Sequence, residues 1–302
     1  MTTTIRLVRS DGAELVLGDG PDGRTTHWRL PVPDVEGMAR LDASVSTSPN
    51  VLRDGSSVVS KRLEQAERTV RARYLGDDSQ GARARAISFF DPRHSFAMHV
   101  TSMGRTVWCA GELDAFDCPF CHANMAPELT FTLLCPDPYW RDEDRNERPF
   151  GDAEGRMGWP YVSHMARDPG RPLDHPAGFV PGLLVYDGLN TVYNHGDVPT
   201  CYRVEIRAKG PVEEPCISKD GRFVRLCTTL AKGDVAVIDF EASPPEVTVN
   251  GEQAIHLASR DSSFTGMRMQ VGPNRFAFSC SDEAHRSLAE VRVLFDRKYL
   301  GV

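Results

Sequence analysis

Tyr202-Arg203-Val204-Glu205-Ile206-Arg207-Ala208 alternates apolar and charged residues along its whole length. A period of two places Tyr202, Val204, Ile206 and Ala208 on one face of an extended strand and the charges on the other. Similar short runs recur at 222–230, 234–241, 246–250, 267–271, 274–280 and 289–296. Between them stand Asp220-Gly221, Lys232-Gly233 and Asn250-Gly251, pairs suited to the positive φ of tight turns. Many short strands at this spacing, with no helix of length and no internal repeat among them, predict a β-sandwich over residues 183–302.

Upstream the pattern breaks. Arg141-Asp142-Glu143-Asp144-Arg145 is a charge run, and residues 149–182 are dense in Gly, Pro and Asp. Such a stretch has few groups to bury, so 141–182 reads as a linker or long loop. The first 140 residues read as a separate, mainly β domain with one helix. Asp11-Gly12 lies between Ile5/Leu7 and Leu15/Leu17, a hairpin signal. Residues 18–57 read as loops with one or two short strands. In Glu67–Leu75, Val70, Ala72 and Tyr74 alternate with Arg71 and Arg73, the pattern of a half-buried strand. Ser79–Phe90 is the helix, capped at Asp77, Asp78 or Ser79 and stopped by Asp91-Pro92, with Ala82, Ala86 and Phe89 on one face. A second hairpin joins Phe96–Thr101 to Thr106–Cys109 around Met103-Gly104-Arg105, and Glu128–Leu134 adds a strand.

The 302 residues are 40% hydrophobic and 25% charged with a net charge of −7, which allows sizeable cores and opposes a nucleic-acid partner. The densest basic stretch, Arg68 to Arg85, is interrupted by Asp77 and Asp78 and reads as a solvated face or protein contact. Met1–Ile5 leads into no apolar segment of secretory type, and nowhere do about 18 apolar residues run together, so neither a signal nor a membrane span is expected. The eight cysteines follow no disulfide framework and are expected to be mostly free thiols.

Several segments, taken in order, carry a resemblance. Asn194-His195-Gly196-Asp197 is followed by Pro199-Thr200 and an alternating strand that ends at Gly210. Leu230-Ala231-Lys232-Gly233-Asp234 precedes Val237-Ile238-Asp239, and then come Val249-Asn250-Gly251, Gly272-Pro273-Asn274-Arg275-Phe276 and Arg297-Lys298-Tyr299-Leu300-Gly301. This series resembles the C-terminal domain of the phage distal tail proteins, the siphovirus tail component family. Leu134-Cys135-Pro136-Asp137-Pro138-Tyr139-Trp140 resembles the segment that closes the family's first domain. Residues 1–100 match only in outline, and 141–182 departs from compact members.

The resemblance implies a belt-like first domain over 1–140, a split barrel or sandwich with one helix, and a galectin-like β-sandwich over 183–302. It implies a structural virion protein rather than an enzyme: a homohexameric ring at the distal end of the tail, assembled in the host cytoplasm. Such a ring joins the tail tube protein to the baseplate or tip and to a tail-associated hub, lysin or fibre protein. The alternative is a carbohydrate-binding module for host-surface attachment. Sugar binding needs exposed aromatics on one sheet face. Residues 183–302 have no tryptophan, and their tyrosines are Tyr186, Tyr193, Tyr202 and Tyr299.

Other motifs have an ordinary structural reading beside a chemical one. Cys118-Pro119-Phe120-Cys121-His122 spells a haem-attachment string, but the flanks read as strands rather than a helical pocket. Zinc is the better rival there, with Cys109, Cys135 or His122 completing a tetrahedral set, although no second C-x-x-C is present. His94, His99, His164, His175, His195 and His256 fall in separate segments without ligand spacing. Asp137 before Pro138 reads as a turn initiator. Trp28, Trp108, Trp140 and Trp159 read as core or subunit-contact residues. The sequence contains no nucleophile elbow or P-loop. No catalytic, cofactor-binding or metal residue is therefore assigned, and no cofactor is expected.

Overall fold

Val70, Ala72 and Tyr74 are buried while Arg71 and Arg73 are exposed, as the alternation in Glu67–Leu75 requires. The computed structural model describes residues 3–18, 27–30, 35–50, 54–102, 104–119, 126–143, 146–150, 189–282, 286 and 288–302. In chain order the first strands are β1 (Thr4–Arg9), β2 (Glu14–Gly18), β3 (Trp28–Arg29), β4 (Val35–Glu36), β5 (Ala43–Pro49), β6 (Ser56–Leu63) and β7 (Ala66–Tyr74). Helix α1 (Ser79–Phe89) precedes β8 (Ser95–Ser102), β9 (Arg105–Asp117), β10 (Glu128–Cys135), β11 (Trp140–Asp142), β12 (Asn146–Phe150) and β13 (Leu189–Asn194). Then follow β14 (Arg203–Ala208), β15 (Val212–Glu213), β16 (Cys216–Lys219), β17 (Arg222–Arg225), β18 (Thr229–Leu230) and β19 (Val235–Asp239). The last are β20 (Glu246–Val249), β21 (Glu252–Gln253), β22 (Gly272–Ser279), β23 (Ala289–Phe295) and β24 (Lys298–Tyr299).

These elements form two compact units. The first comprises residues 1–144, 196–198 and 297–302, and the second 145–195 and 199–296. In the first, an antiparallel sheet runs β2-β1-β8-β9-β10-β7-β3, with β4 on β7 and β11 bridging β9 to β24. The sheet curls until its ends approach, where Arg29 Nη1 donates to the Gly18 carbonyl at 3.2 Å. Its concave side is filled by Ile5, Leu7, Val70, Met98, Val100, Leu129, Phe131 and Leu133. Helix α1 packs Ala82, Ala86 and Phe89 into this core. Asp78 starts it, its Oδ1 accepting the Gly81 amide at 2.9 Å, which satisfies a donor the helix leaves free. Just past the helix the Phe90 ring lies 4.6 Å from Phe116 and 4.8 Å from Phe131.

The second unit is a β-sandwich of a six-stranded sheet, β12-β23-β14-β19-β20-β21, and a four-stranded sheet, β13-β22-β16-β17. Val204, Ile206, Ile238, Val291 and Val293 of one sheet share a core with Ile217, Val224, Phe276 and Phe278 of the other. The pair β15-β18 forms a separate two-stranded sheet, with Val212 opposite Leu230, and both side chains belong to the same core.

Three sequence expectations are corrected. Residues 18–57 hold more strand than expected, because β5 and β6 form a long hairpin reaching Leu63. The run 267–271 forms only a bridge, Met269 to Thr200. The stretch 141–182 begins with strand rather than loop: β11 pairs β9 and β24, and β12 pairs β23. The rest of that stretch, with His164, His175 and Trp159, lies outside the described residues, as do Met103, Phe120, Cys121 and His122.

Candidate assembly surfaces

The hairpin β5-β6 has almost no inward face. Val45, Val58 and Val59 are 48%, 54% and 68% exposed, and nearly every other residue of both strands is exposed too. A bulge between Ser46 and Thr47 skips Val59 in the pairing, leaving Ser46 opposite Ser60 and Thr47 opposite Val58. Bulges re-aim side chains, and here the extra residue is the most exposed valine of the arm. A two-stranded hairpin alone in water is only marginally stable. At its base the Glu64 amide donates to the Asp42 carbonyl at 2.8 Å, so the arm leaves and rejoins the first unit at a single point.

The segment Asp137–Trp140 meets the terminal segment Arg297–Gly301. Trp140 pairs with Tyr299 and Arg141 with Lys298 in the β11-β24 ladder. Asp137 Oδ2 accepts from Arg141 at 2.7 Å and from Lys298 Nζ at 2.8 Å. Burial pushes the Asp137 carboxyl up, but these two cations outweigh it and hold it below the usual carboxylate range. The Tyr299 hydroxyl donates to Asp142 Oδ2 at 3.1 Å, and Arg105 lies over the Tyr299 ring at 3.5 Å. Trp140 is fully buried, and its indole N–H donates to the Met38 carbonyl at 2.8 Å. Asp197 joins the cluster, its amide donating to the Lys298 carbonyl at 2.8 Å and its carboxylate accepting the Leu300 amide at 3.0 Å.

The motif residues of the second unit lock turns. Asp234 accepts the Ala231 amide at 2.8 Å and the Asn250 side-chain amide at 2.9 Å. Asn250 Oδ1 in turn accepts the Val235 amide at 2.9 Å, so the Gly233-Asp234 and Asn250-Gly251 turns brace each other. Asn274 is 1% exposed; its Oδ1 accepts the Gln270 amide at 2.7 Å and its Nδ2 donates to the carbonyls of Gln270 at 2.7 Å and Gly272 at 3.0 Å. Asn274→Ala leaves those buried groups unpaired and is expected to lower the second unit's stability by about 1–3 kcal/mol in urea unfolding. A loss below a few tenths of a kcal/mol would show that the turn holds without this side chain.

The remaining candidates fall into ordinary roles. Trp28 is buried and lies 5.2 Å from Tyr74, and Trp108 lies 6.1 Å from His99. His94 shares a 3.0 Å hydrogen bond with Ser10, and His195 stacks on Tyr193 at 5.9 Å. Among the described residues no three His, Cys, Asp or Glu side chains gather as a metal-binding group. Cys118 is buried in the first core, and its carbonyl accepts from Arg83 at 3.1 Å. Arg68 corrects the reading of the 68–85 stretch as a solvated face or protein contact: it is 1% exposed. Cys109 and Cys135, considered only as partners for Cys118, instead face each other with their sulfurs 3.8 Å apart. Their separation of 26 residues hid that contact, although the alternation of β9 and β10 turns both thiols inward.

The first unit is thus an antiparallel sheet completed by β24, joined in one chain to a β-sandwich. The crystal structure of SPP1 Dit (gp 19.1), described as a paradigm of the hub adsorption apparatus in phages infecting Gram-positive bacteria, matches with a TM-score of 0.64 at 12% identity. That match covers 97% of this chain and 98% of the other. The phage P2 baseplate in its activated conformation with Ca matches at 10% identity and TM-score 0.52, over 100% of this chain and 99% of that one. Its counterpart with Sr matches at 9% identity and TM-score 0.51, over 99% of each chain. No curated protein matches the sequence. Residues 195–299 match the family model of the siphovirus-type tail component, C-terminal domain, so the chain carries that domain on a Dit-like fold.

Proposed function

We propose that this protein is the distal tail hub of a long-tailed phage, a non-enzymatic virion component that forms a homohexameric ring through its first unit. The ring joins the tail tube protein to the baseplate or tip, and the galectin-like second unit faces outward toward hub, lysin or fibre proteins. The observation that carries this reading is the arm β5-β6. It exposes valines on an element with no core of its own, which fits a strand pair laid on a neighbouring subunit. A closed ring is a heterologous assembly in which each subunit presents two different surfaces. The arm is one of them, and the body of the first unit supplies the other. The family match over 195–299 and the Dit-like fold agree with this role.

In this assignment the ring-forming domain is the first unit, residues 1–140 with the terminal strand β24. Mass photometry of the purified full chain tests the reading. The expected particle is six times the 33.5 kDa subunit. A monomer at all concentrations that binds a glycan array would favour the carbohydrate-binding alternative instead.

A further inference from the structure

Arg68 is 1% exposed, yet among the described residues it pairs with no carboxylate. Its Nη2 donates to the Pro138 carbonyl at 2.8 Å, its Nη1 points at Cys135 Sγ at 3.6 Å, and its guanidinium lies 3.8 Å from the Trp140 ring. Its Nε is buried with no hydrogen-bond partner. Guanidinium does not lose its proton inside proteins, and a buried charge without a counter-charge is strongly unfavourable. The carboxylate of Asp137 is engaged by Arg141 and Lys298. What faces Arg68 is the thiol of Cys135, with the Cys109 sulfur 3.8 Å beyond. Gly111 makes the room, since a Cβ there would sit 3.0 Å from Cys135 Sγ.

We propose that Cys135 is carried as a thiolate in the folded protein, the counter-ion of buried Arg68, with Cys109 retained as the thiol that donates to it. The groups facing the pair are Arg68 from β7, Asp137 from the turn after β10, and the two sulfurs themselves. The hydrogen bond from Cys109 brings the Cys135 thiol down to about 7; burial opposes this, Arg68 assists and Asp137 opposes. Burial pushes Cys109 well up, so it keeps its proton. A disulfide between the two would need the sulfurs at about 2.05 Å and would remove the anion that Arg68 faces. The reduced pair therefore suits the site better than the oxidised one.

The sign of the pH dependence follows from these directions. A thiol lowered in the fold contributes stability that is fully present above its unfolded value and lost as pH falls through about 7. Cys109, raised in the fold, contributes stability that fades at higher pH. Urea unfolding of the full chain under reducing conditions should therefore give a first-unit midpoint that climbs from about pH 7 to about pH 9 and then falls. Cys135→Ser should flatten the climb and remove one thiolate's ultraviolet absorbance at pH 8, whereas Cys227→Ser, at an exposed position, should leave the climb intact. If Cys135→Ser does not fold, Arg68→Met provides the second arm, with the thiolate titration moving up by about one pH unit or more. A flat midpoint between pH 7 and 9 in the unaltered chain would overturn the proposal. So would an unreduced preparation whose mass and peptide map show a Cys109–Cys135 cross-link.

Discussion

A chain that stops at Asp296 is expected to lose the fold of its first unit while its second unit still melts cooperatively. The lost residues contain β24, which is far from the first unit in sequence but pairs with β11 there. Removing it deletes the Tyr299 side chain, 7% exposed in the intact protein, a loss of about 2–3 kcal/mol of apolar burial. It also strips Lys298 from the half-buried Asp137, removing a charged hydrogen bond of about 1.5–3 kcal/mol before screening is discounted. Together these come to about 3–5 kcal/mol, a large share of the 5–15 kcal/mol typical of a domain. Hydrogen exchange should show fast amides in β9 and β11 with protection kept in β14 and β23. Unchanged protection in β9 would show that the terminal strand only decorates the sheet.

Removing the arm is expected to do the opposite, sparing the fold and abolishing the assembly. Because the Glu64 amide meets the Asp42 carbonyl at 2.8 Å, residues 43–63 can be replaced by Gly-Gly across that base. Almost none of the arm is buried, so the first unit should keep its stability to within about 0.5 kcal/mol. Mass photometry should then show monomers where the full chain gives rings. Rings that persist without the arm would place the subunit contact elsewhere on the first unit.

The parts that could be read from sequence are those with one wet and one dry face. Val70, Ala72 and Tyr74 alternate with arginines, Ala82, Ala86 and Phe89 share a helix face, and Tyr202 to Ala208 alternates as a sandwich strand should. The arm could not be read, because a hairpin exposed on both sides has no apolar period, and Ser44, Ser46, Ser48 and Thr47 look like loop. Strand β24 is two residues long and gains its meaning from Trp140 and Asp137, far away in the chain. Strand β12 sits at the end of a charge run and contains Pro149, a residue that marks edge strands or loops. Arg68 looked like one more solvated arginine, since an outward and an inward cation on one strand differ only in the register of the pleat. The turn motifs were legible as a set. The structure explains their chemistry: Asp234, Asn250 and Asn274 each satisfy backbone amides that the turns leave open.

Electron microscopy of the purified full chain, classified without imposed symmetry, tests the central claim most directly. The account predicts six-fold rings built through the first unit. Isolated monomers at concentrations well above those of an assembling virion protein, or two-fold dimers joined through the sandwich, would contradict it.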